Sequence, residues 1–328
     1  MTSQAAILTR YFHLMNVNGA AHVYREALRA GVLDALAAGP GDAAGVAQAT
    51  GLAERPVGLL LDALAALGLL EPDEEGRHRL TPLARWLLAG SYRDLGDPYW
   101  SHLPAFLRTG TPMARMDSPA ESEAHYQGQA AALAFMLAPA AEAAARTLDA
   151  GRSLAGSAIL DVGAGSAIWS LTVAAQAPGA TVTAVDWPAV LPVATGTARR
   201  LGLESRLTLR PGDYHRVELP AAAFDLAILG NVTHLETPAG NLDLFRRVRP
   251  ALRRGGRLAI FDLFPGLAAG DLNRALYALG LALRTERGRV YPPGELEALL
   301  RQAGFSPARL IPLDVPPHAV GMLLAEAS

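Results

Sequence analysis

The 328-residue chain contains no cysteine, so neither a disulfide framework nor a thiolate metal site is open to it, which fits a reducing compartment. It has no excess of either charge: 29 basic against 31 acidic side chains leave a formal net charge of −2, which argues against a polyanion as partner. It lacks an uninterrupted apolar run as long as a membrane span, and its N-terminus has no basic segment followed by an apolar core. These absences lead us to expect a soluble, cytoplasmic protein. Internal repeats and charged blocks are missing too, and low complexity is confined to alanine-rich helical stretches such as 130–145. What the chain has in quantity is apolar residues, 51% of the total, enough for one large core or two medium ones. The length favours two domains.

Two textures divide it. Up to about Gly90 the pattern is helical, with Val32, Leu33, Leu36, Val46, Leu60, Leu61 and Leu64 marking helix faces. Asp42 to Thr50, a turn at Gly51 and a helix from Arg55 to Leu67 make a helix-turn-helix. Gly68-Leu69-Leu70 and Arg77-His78-Arg79-Leu80 follow as a hairpin wing. A DNA-reading version needs cations on its second helix, yet Arg55 is the sole basic residue between Gly41 and Leu70, against Asp42, Glu54 and Asp62. We therefore expect no nucleic-acid partner. Residues 91–150 read as connecting helices whose Tyr92, Tyr99, Trp100, His102, Phe106, Tyr126, Phe135 and Met136 serve either core or pocket; Trp100, Tyr126 and Met136 are the substrate-pocket candidates. From 151 onward apolar strands alternate with amphipathic helices, with strands near Ile159, Val182, Leu207, Leu226, Leu258 and Met322. That alternation predicts an α/β domain with a doubly wound, mostly parallel sheet.

Within it, Ala158 to Val162 is short, aliphatic and closed by Gly163-Ala164-Gly165, a buried parallel strand feeding a tight turn. Glycine there lets the backbone approach a ligand where a Cβ would collide. The next strand ends on Asp186, whose carboxylate can accept from both hydroxyls of a ribose. A dinucleotide fingerprint would place a third glycine where this chain has Ile168, followed by Trp169, and the helix start offers no lysine for a triphosphate. A nucleoside without phosphates remains, and S-adenosylmethionine is the commonest of these.

Four segments in order carry a family resemblance: Ile159-Leu160-Asp161-Val162-Gly163-Ala164-Gly165, Ala184-Val185-Asp186-Trp187-Pro188, Arg210-Pro211-Gly212-Asp213-Tyr214 and Gly255-Gly256-Arg257-Leu258. With the winged-helix region and Ala303-Gly304-Phe305 near the end, the whole chain resembles the class I S-adenosylmethionine-dependent methyltransferases, in particular the two-domain small-molecule O-methyltransferases of plant caffeate type and bacterial natural-product pathways. The resemblance implies a Rossmann-like sheet with its last strand antiparallel and a homodimer formed through the N-terminal domain. It divides the chain into a dimerisation domain (1–90), connecting helices lining the substrate pocket (91–150) and a cofactor-binding catalytic domain (151–328). By the same resemblance, Gly163 and Gly165 lie under the methionine part, with Asp161 before them, and Asp186 binds the ribose. Trp187 packs beside the adenosine, Asp213 accepts from the adenine amino group, Tyr214 lies against the ring, and Gly212 and Asn231 join the cofactor set.

His234 follows the strand Phe224 to Leu229, at the carboxyl edge where ligands bind, and falls on the family's catalytic histidine. Imidazole titrates near neutral pH and suits the removal of a phenolic proton before methyl transfer. Asp262 supplies the acid that orients it. Two departures stand out: Leu235-Glu236 replaces the usual Asp-Trp after the base, and a second supporting acid falls on Val290. The acceptor is accordingly a hydroxyl or another nucleophilic atom of a small metabolite. The alternatives are a non-methylating reaction on the same scaffold (decarboxylation, hydroxylation, pericyclic) or a metal-dependent C-methyltransferase using His215, His234 and Asp262. No H-x-x-H or H-E-x-x-H pattern occurs, and no metal is expected. His13, His22, His78, His102, His125 and His318 have no motif context.

Overall fold

The structure is a computed structural model, described over residues 3–90, 93–113, 116, 118–267, 271–313, 315 and 320–327. Tyr92 and His318 lie outside the described residues. The chain divides into two compact units, Met1–Asp97 and Pro98–Ser328.

In the first unit, α1 (Gln4–Arg29) starts where the Ser3 hydroxyl accepts from the Ala6 amide. It is followed by α2 (Val32–Ala38), α3 (Ala43–Thr50) and α4 (Glu54–Ala66). The Asp42 carboxylate caps α3 by accepting from Gly45 N at 2.8 Å, and Gly51, at φ 71°, ends it in the left-handed region. On α4, Val57, Leu61 and Leu64 recur at helical spacing and all are buried, against Leu33, Leu36 and Val46. The short strands β1 (Leu70–Pro72) and β2 (His78–Leu80) pair antiparallel as the wing, and α5 (Pro82–Ala89) is capped by Thr81. Within this unit the start of α1 stays uncovered: Ile7, Tyr11, Phe12 and Leu14 are each more than half exposed.

After α6 (Asp97–Thr109), α7 (Pro119–Thr147) and the short α8 (Ala150–Ser153), the second unit alternates strand and helix. Its elements are β3 (Ala158–Val162), α9 (Ile168–Gln176), β4 (Thr181–Asp186), α10 (Leu191–Leu201), β5 (Leu207–Pro211), β6 (Phe224–Gly230), α11 (Pro238–Ala251), β7 (Leu252–Leu263), α12 (Asp271–Ala282), α13 (Pro293–Gln302), β8 (Arg309–Pro312) and β9 (Val320–Glu326). Among the described residues the sheet has seven strands in the order β5-β4-β3-β6-β7-β9-β8. Strands β3 to β7 pair in parallel, while β9 runs antiparallel to both β7 and β8. This is the doubly wound, mostly parallel sheet that the alternation predicts, with the antiparallel last strand that the resemblance implies. Strand β8 was not foreseen: it is an edge strand with no buried residue, so it carries no apolar run.

Two apolar layers cover the sheet. On one face the small side chains Ala141, Ala144 and Ala145 of α7 let it pack with α9, whose residues Ile168 to Ala174 are all buried. On the other, Leu244, Phe245 and Val248 of α11 meet Leu296 and Leu300 of α13. The chain reverses direction across the sheet between β3 and β6, and in open α/β sheets the crevice at such a reversal holds ligands.

Candidate active site

The turn after β3 is built by backbone conformations that favour glycine. Gly163 and Gly165 have φ 67° and 56°, and a Cβ on Gly163 would come within 2.6 Å of the Val232 side chain. Asp186, at the end of β4, closes this turn: one carboxylate oxygen accepts from Gly165 N at 2.6 Å and the other from Trp187 N at 2.7 Å. Burial raises the Asp186 carboxyl, against those two hydrogen bonds, and the charge of Glu123 adds to the rise. Gly212, after β5, donates its amide to the Asp186 carbonyl at 2.9 Å, tying the next loop to the same strand end. In that loop the Asp213 carboxylate accepts from His215 N at 2.8 Å.

These strand ends and the loop after β6 line one cleft. Gly163 and Gly165, Asp186 and Trp187, Asp213 to His215, and Asn231, Val232, Leu235 and Glu236 contribute to it, joined by Ser122 and Tyr126 of α7 and by Met116, Ser118 and Arg287. Some expected residues lie elsewhere. Asp161 is 1% exposed beneath the turn, where it accepts from the Ser170 hydroxyl at 2.5 Å, and burial pushes its carboxyl up to about 7. Gly212 supports the loop from behind. Trp100, on α6, is 36% exposed, and neither it nor Met136 of α7 lines the cleft.

Asn231 lines the cleft from a left-handed backbone at φ 60°, and its Oδ1 accepts from Trp169 Nε1 at 3.3 Å. Trp169 stacks on Phe261 with centroids 4.3 Å apart and planes 3° from parallel. Its indole passes over Gly230, where any Cβ would overlap the ring. The bulky residue that argued against a dinucleotide thus forms a floor beneath β6 and anchors Asn231.

Glu236 holds a cluster that sequence reasoning missed. Its Oε1 accepts from the Tyr214 hydroxyl at 2.7 Å and pairs with His215 Nε2 at 2.8 Å. The hydrogen bond to Glu236 raises the His215 imidazole against the opposing effect of burial. Burial pushes Glu236 up, but the hydrogen bonds from His215 and Tyr214 and the charge of His215 outweigh it, so the carboxyl ends below its usual range. Burial, reinforced by Glu236, holds the Tyr214 phenol well above its ordinary value, hence as a neutral donor.

His234 is 3% exposed and lies behind the cleft wall. Its Nδ1 is 2.9 and 3.0 Å from the two oxygens of Asp262. Asp262 also accepts from the Thr233 hydroxyl at 2.8 Å and from Leu263 N at 2.9 Å, while Asn241 Nδ2 holds the Thr233 carbonyl at 2.9 Å. A carboxylate only accepts, so Nδ1 donates to Asp262, and in the neutral ring the lone pair is then on Nε2. That lone pair faces the Tyr277 hydroxyl of α12 at 2.9 Å, with the two rings at 88°. Tyr277 had no signal in the sequence, since no spacing rule links a helix residue to a histidine so far upstream. His215 and His234 are held by different carboxylates, and among the described residues no group of three or more His, Cys, Asp or Glu could hold a metal ion.

A strand-end carboxylate by a glycine turn and a carboxylate-held imidazole thus share one sheet edge, and the family of the chain follows from its similarity to known proteins. Residues 114–306 match the family model of an O-methyltransferase domain and residues 12–90 that of an O-methyltransferase dimerisation domain. The chain belongs to the O-methyltransferase family. It is 36% identical to acetylserotonin O-methyltransferase of Mus musculus, over 88% of this chain and 81% of that one. It is 29% identical to 3-hydroxy-5-methyl-1-naphthoate 3-O-methyltransferase of Streptomyces sahachiroi, over 87% and 86%. Its fold is shared with human N-acetylserotonin methyltransferase, solved in complex with SAM, at a TM-score of 0.73 and 22% identity over 100% of this chain and 99% of that one. Among the described residues no helix is long and apolar enough to cross a membrane.

Proposed function

We propose that the protein moves the methyl group of S-adenosylmethionine to a hydroxyl of a small aromatic metabolite, with His234 as general base. The cleft suits that donor. The carboxylate of Asp186 still has lone pairs for a ribose diol beyond the two amides it accepts from, Asp213 offers an acceptor to an exocyclic amine, and Gly163 and Gly165 line the cleft without a side chain. Gly165, Trp187, Tyr214 and Asn231 complete the set; Asp161 and Gly212 support it from beneath. When bound, the sulfonium supplies an electrophilic methyl group. The protein's own residues then position the acceptor and take its proton.

The observation that carries this reading is the pairing of His234 Nδ1 with both oxygens of Asp262, which fixes one tautomer and reserves Nε2 for a proton. A carboxylate at this distance also stabilises the imidazolium that forms. The substrate class follows two of the relatives, named for O-methylation of acetylserotonin and of a hydroxynaphthoate, and Tyr126 of α7 offers an aromatic wall. We assign residues 1–90 to homodimer formation, which the dimerisation model and the uncovered apolar start of α1 support. Residues 91–150 then serve as substrate-lining helices and 151–328 as the cofactor-binding catalytic domain. A cytoplasmic setting is consistent with the absence of cysteine.

Incubation of the purified protein with S-adenosylmethionine and a panel of phenols, indole-ring hydroxyls included, should release S-adenosylhomocysteine together with a methyl ether. His234→Ala should lower turnover by about 10²- to 10⁴-fold with little change in cofactor Kd. Equal turnover in the variant would remove the base role, and cofactor binding without S-adenosylhomocysteine would favour a non-methylating reaction.

A further inference from the structure

The nitrogen of His234 that is left to act as base is not open. Nδ1 is committed to Asp262, the ring is 3% exposed, and Nε2 is covered by the Tyr277 hydroxyl at 2.9 Å. An acceptor that approached Nε2 directly would have to break that O–H···N bond and enter a closed site. Tyr277 itself is only partly buried. The geometry points to Tyr277 as the residue that touches the acceptor: it receives the acceptor's proton on its hydroxyl oxygen while passing its own proton to His234 Nε2.

This rests on the proposed methyl transfer to a hydroxyl and places one more group between acceptor and base. The acceptor O–H bond breaks and a new O–H bond forms on Tyr277 Oη. The original Tyr277 O–H bond breaks and an N–H bond forms on Nε2. The acceptor oxygen uses an electron pair to bond the methyl carbon, and the pair of the broken S–C bond stays on sulfur. Tyr277 ends neutral, as it began, and the positive charge lost from sulfur appears on His234, beside the Asp262 carboxylate. A phenolic acceptor and a tyrosyl hydroxyl ordinarily have similar acidity, near ~10, so handing the proton between them is close to thermoneutral and no free tyrosinate is needed. The family's second supporting acid falls here on Val290, in the loop before α13; the second polar group on the imidazole is instead this hydroxyl, from α12.

Tyr277→Phe keeps the ring and removes only the hydroxyl. In ¹⁵N-histidine-labelled protein without substrate, the Nε2 resonance of His234 should move in this variant while Nδ1 stays; an unmoved Nε2 overturns the proposal. With phenols of graded acidity, turnover by Tyr277→Phe should fall about 10²-fold for phenol-like acceptors and little for a nitrophenol that ionises near neutral pH, with cofactor Kd unchanged. An equal loss across the series would make Tyr277 a packing residue, and faster turnover would make it a cover over the base; either overturns the relay. Combined with His234→Ala, the hydroxyl deletion should cost nothing further, because both sit on one proton path; multiplying losses would contradict it. The two readings fail differently. A slow His234→Ala beside a fully active Tyr277→Phe sinks the relay alone, whereas a fully active His234→Ala sinks the general-base reading beneath it.

Discussion

The Asp186 region and the His234 region stand on the same sheet edge and are built in opposite ways. Asp186 is held by two backbone amides, one of them from the adjoining residue, and its neighbours Gly165, Trp187 and Asp213 all line the cleft. His234 is held by side chains from β7 and α12, and is closed off. Backbone donors leave a carboxylate with spare lone pairs, which suits a surface meant to take up and release a ligand. Side-chain partners on both ring nitrogens leave an imidazole one orientation and one tautomer, which suits a group meant to move a proton. On the proposed reading, binding and chemistry are separated along the loop that leaves β6, where Asn231 lines the cleft and His234 is buried.

The largest effect should come from breaking the element the two regions share. Gly230 ends β6, and a side chain there displaces Trp169, which stacks on Phe261 and anchors Asn231. Gly230→Val should cost roughly 3 kcal/mol of stability through overpacking, despite the preference of valine for strands. Cofactor affinity and turnover should fall together. Thermal unfolding and equilibrium binding of S-adenosylhomocysteine check this, and a variant that melts like the wild type would show that Trp169 can move freely.

Asp186→Asn should instead divide the regions. Both Asp186 oxygens accept from N–H groups, so an amide nitrogen at either place sets a donor against a donor. A lost charge-assisted hydrogen bond of about 1.5–3 kcal/mol corresponds to roughly 10- to 100-fold weaker cofactor binding. Turnover at saturating cofactor should stay within a few-fold of wild type. Titration calorimetry and kcat measured separately test this; a kcat loss as large as the loss of affinity would mean that the two regions are coupled.

Legibility in the sequence follows the same division. The parallel strands could be read because buried strands are continuous apolar runs, and the cleft residues could be read because they sit directly after strand ends. The resemblance puts Asp161 with them, but it lies within β3, in register with Ala184 and Ile228, and accepts from Ser170 of α9. The strand ends further on, so Asp161 faces the helix beneath. Trp100 and Met136 are pocket candidates by chemical type alone, and type does not give the direction of a side chain on a helix. Tyr277 and the His215–Glu236 pair were illegible for a different reason: each depends on a contact across 43 or 21 residues that only the folded chain brings together.

The smallest effect concerns His215 and Glu236, a pair inside the binding region with the side-chain pairing typical of the other one. Hydrogen bonding to Glu236 raises the His215 imidazole from 6.5, so the folded protein favours the protonated ring. Its contribution is fully present below the unfolded value and fades as pH rises through the raised one. The hydrogen bonds from His215 and Tyr214 leave Glu236 below 4.5, so its contribution is present above that value and is lost as pH falls through the lowered one. The pair is therefore strongest between those two limits. Because the side chains are 33% and 17% exposed, solvent screening keeps the difference below about 1 kcal/mol. Tyr214, whose phenol is raised well above 10, stays protonated throughout and goes on donating to Glu236 after His215 is lost. His215→Gln should thus lower the melting temperature slightly on the mildly acidic side of neutrality, and the gap to wild type should close as pH rises into the alkaline range. Melting curves collected across that range test it. Parallel curves for the two proteins would show that the pair adds no pH-dependent stability, leaving the Tyr214 hydroxyl as the contact that fixes Glu236 in the cleft wall.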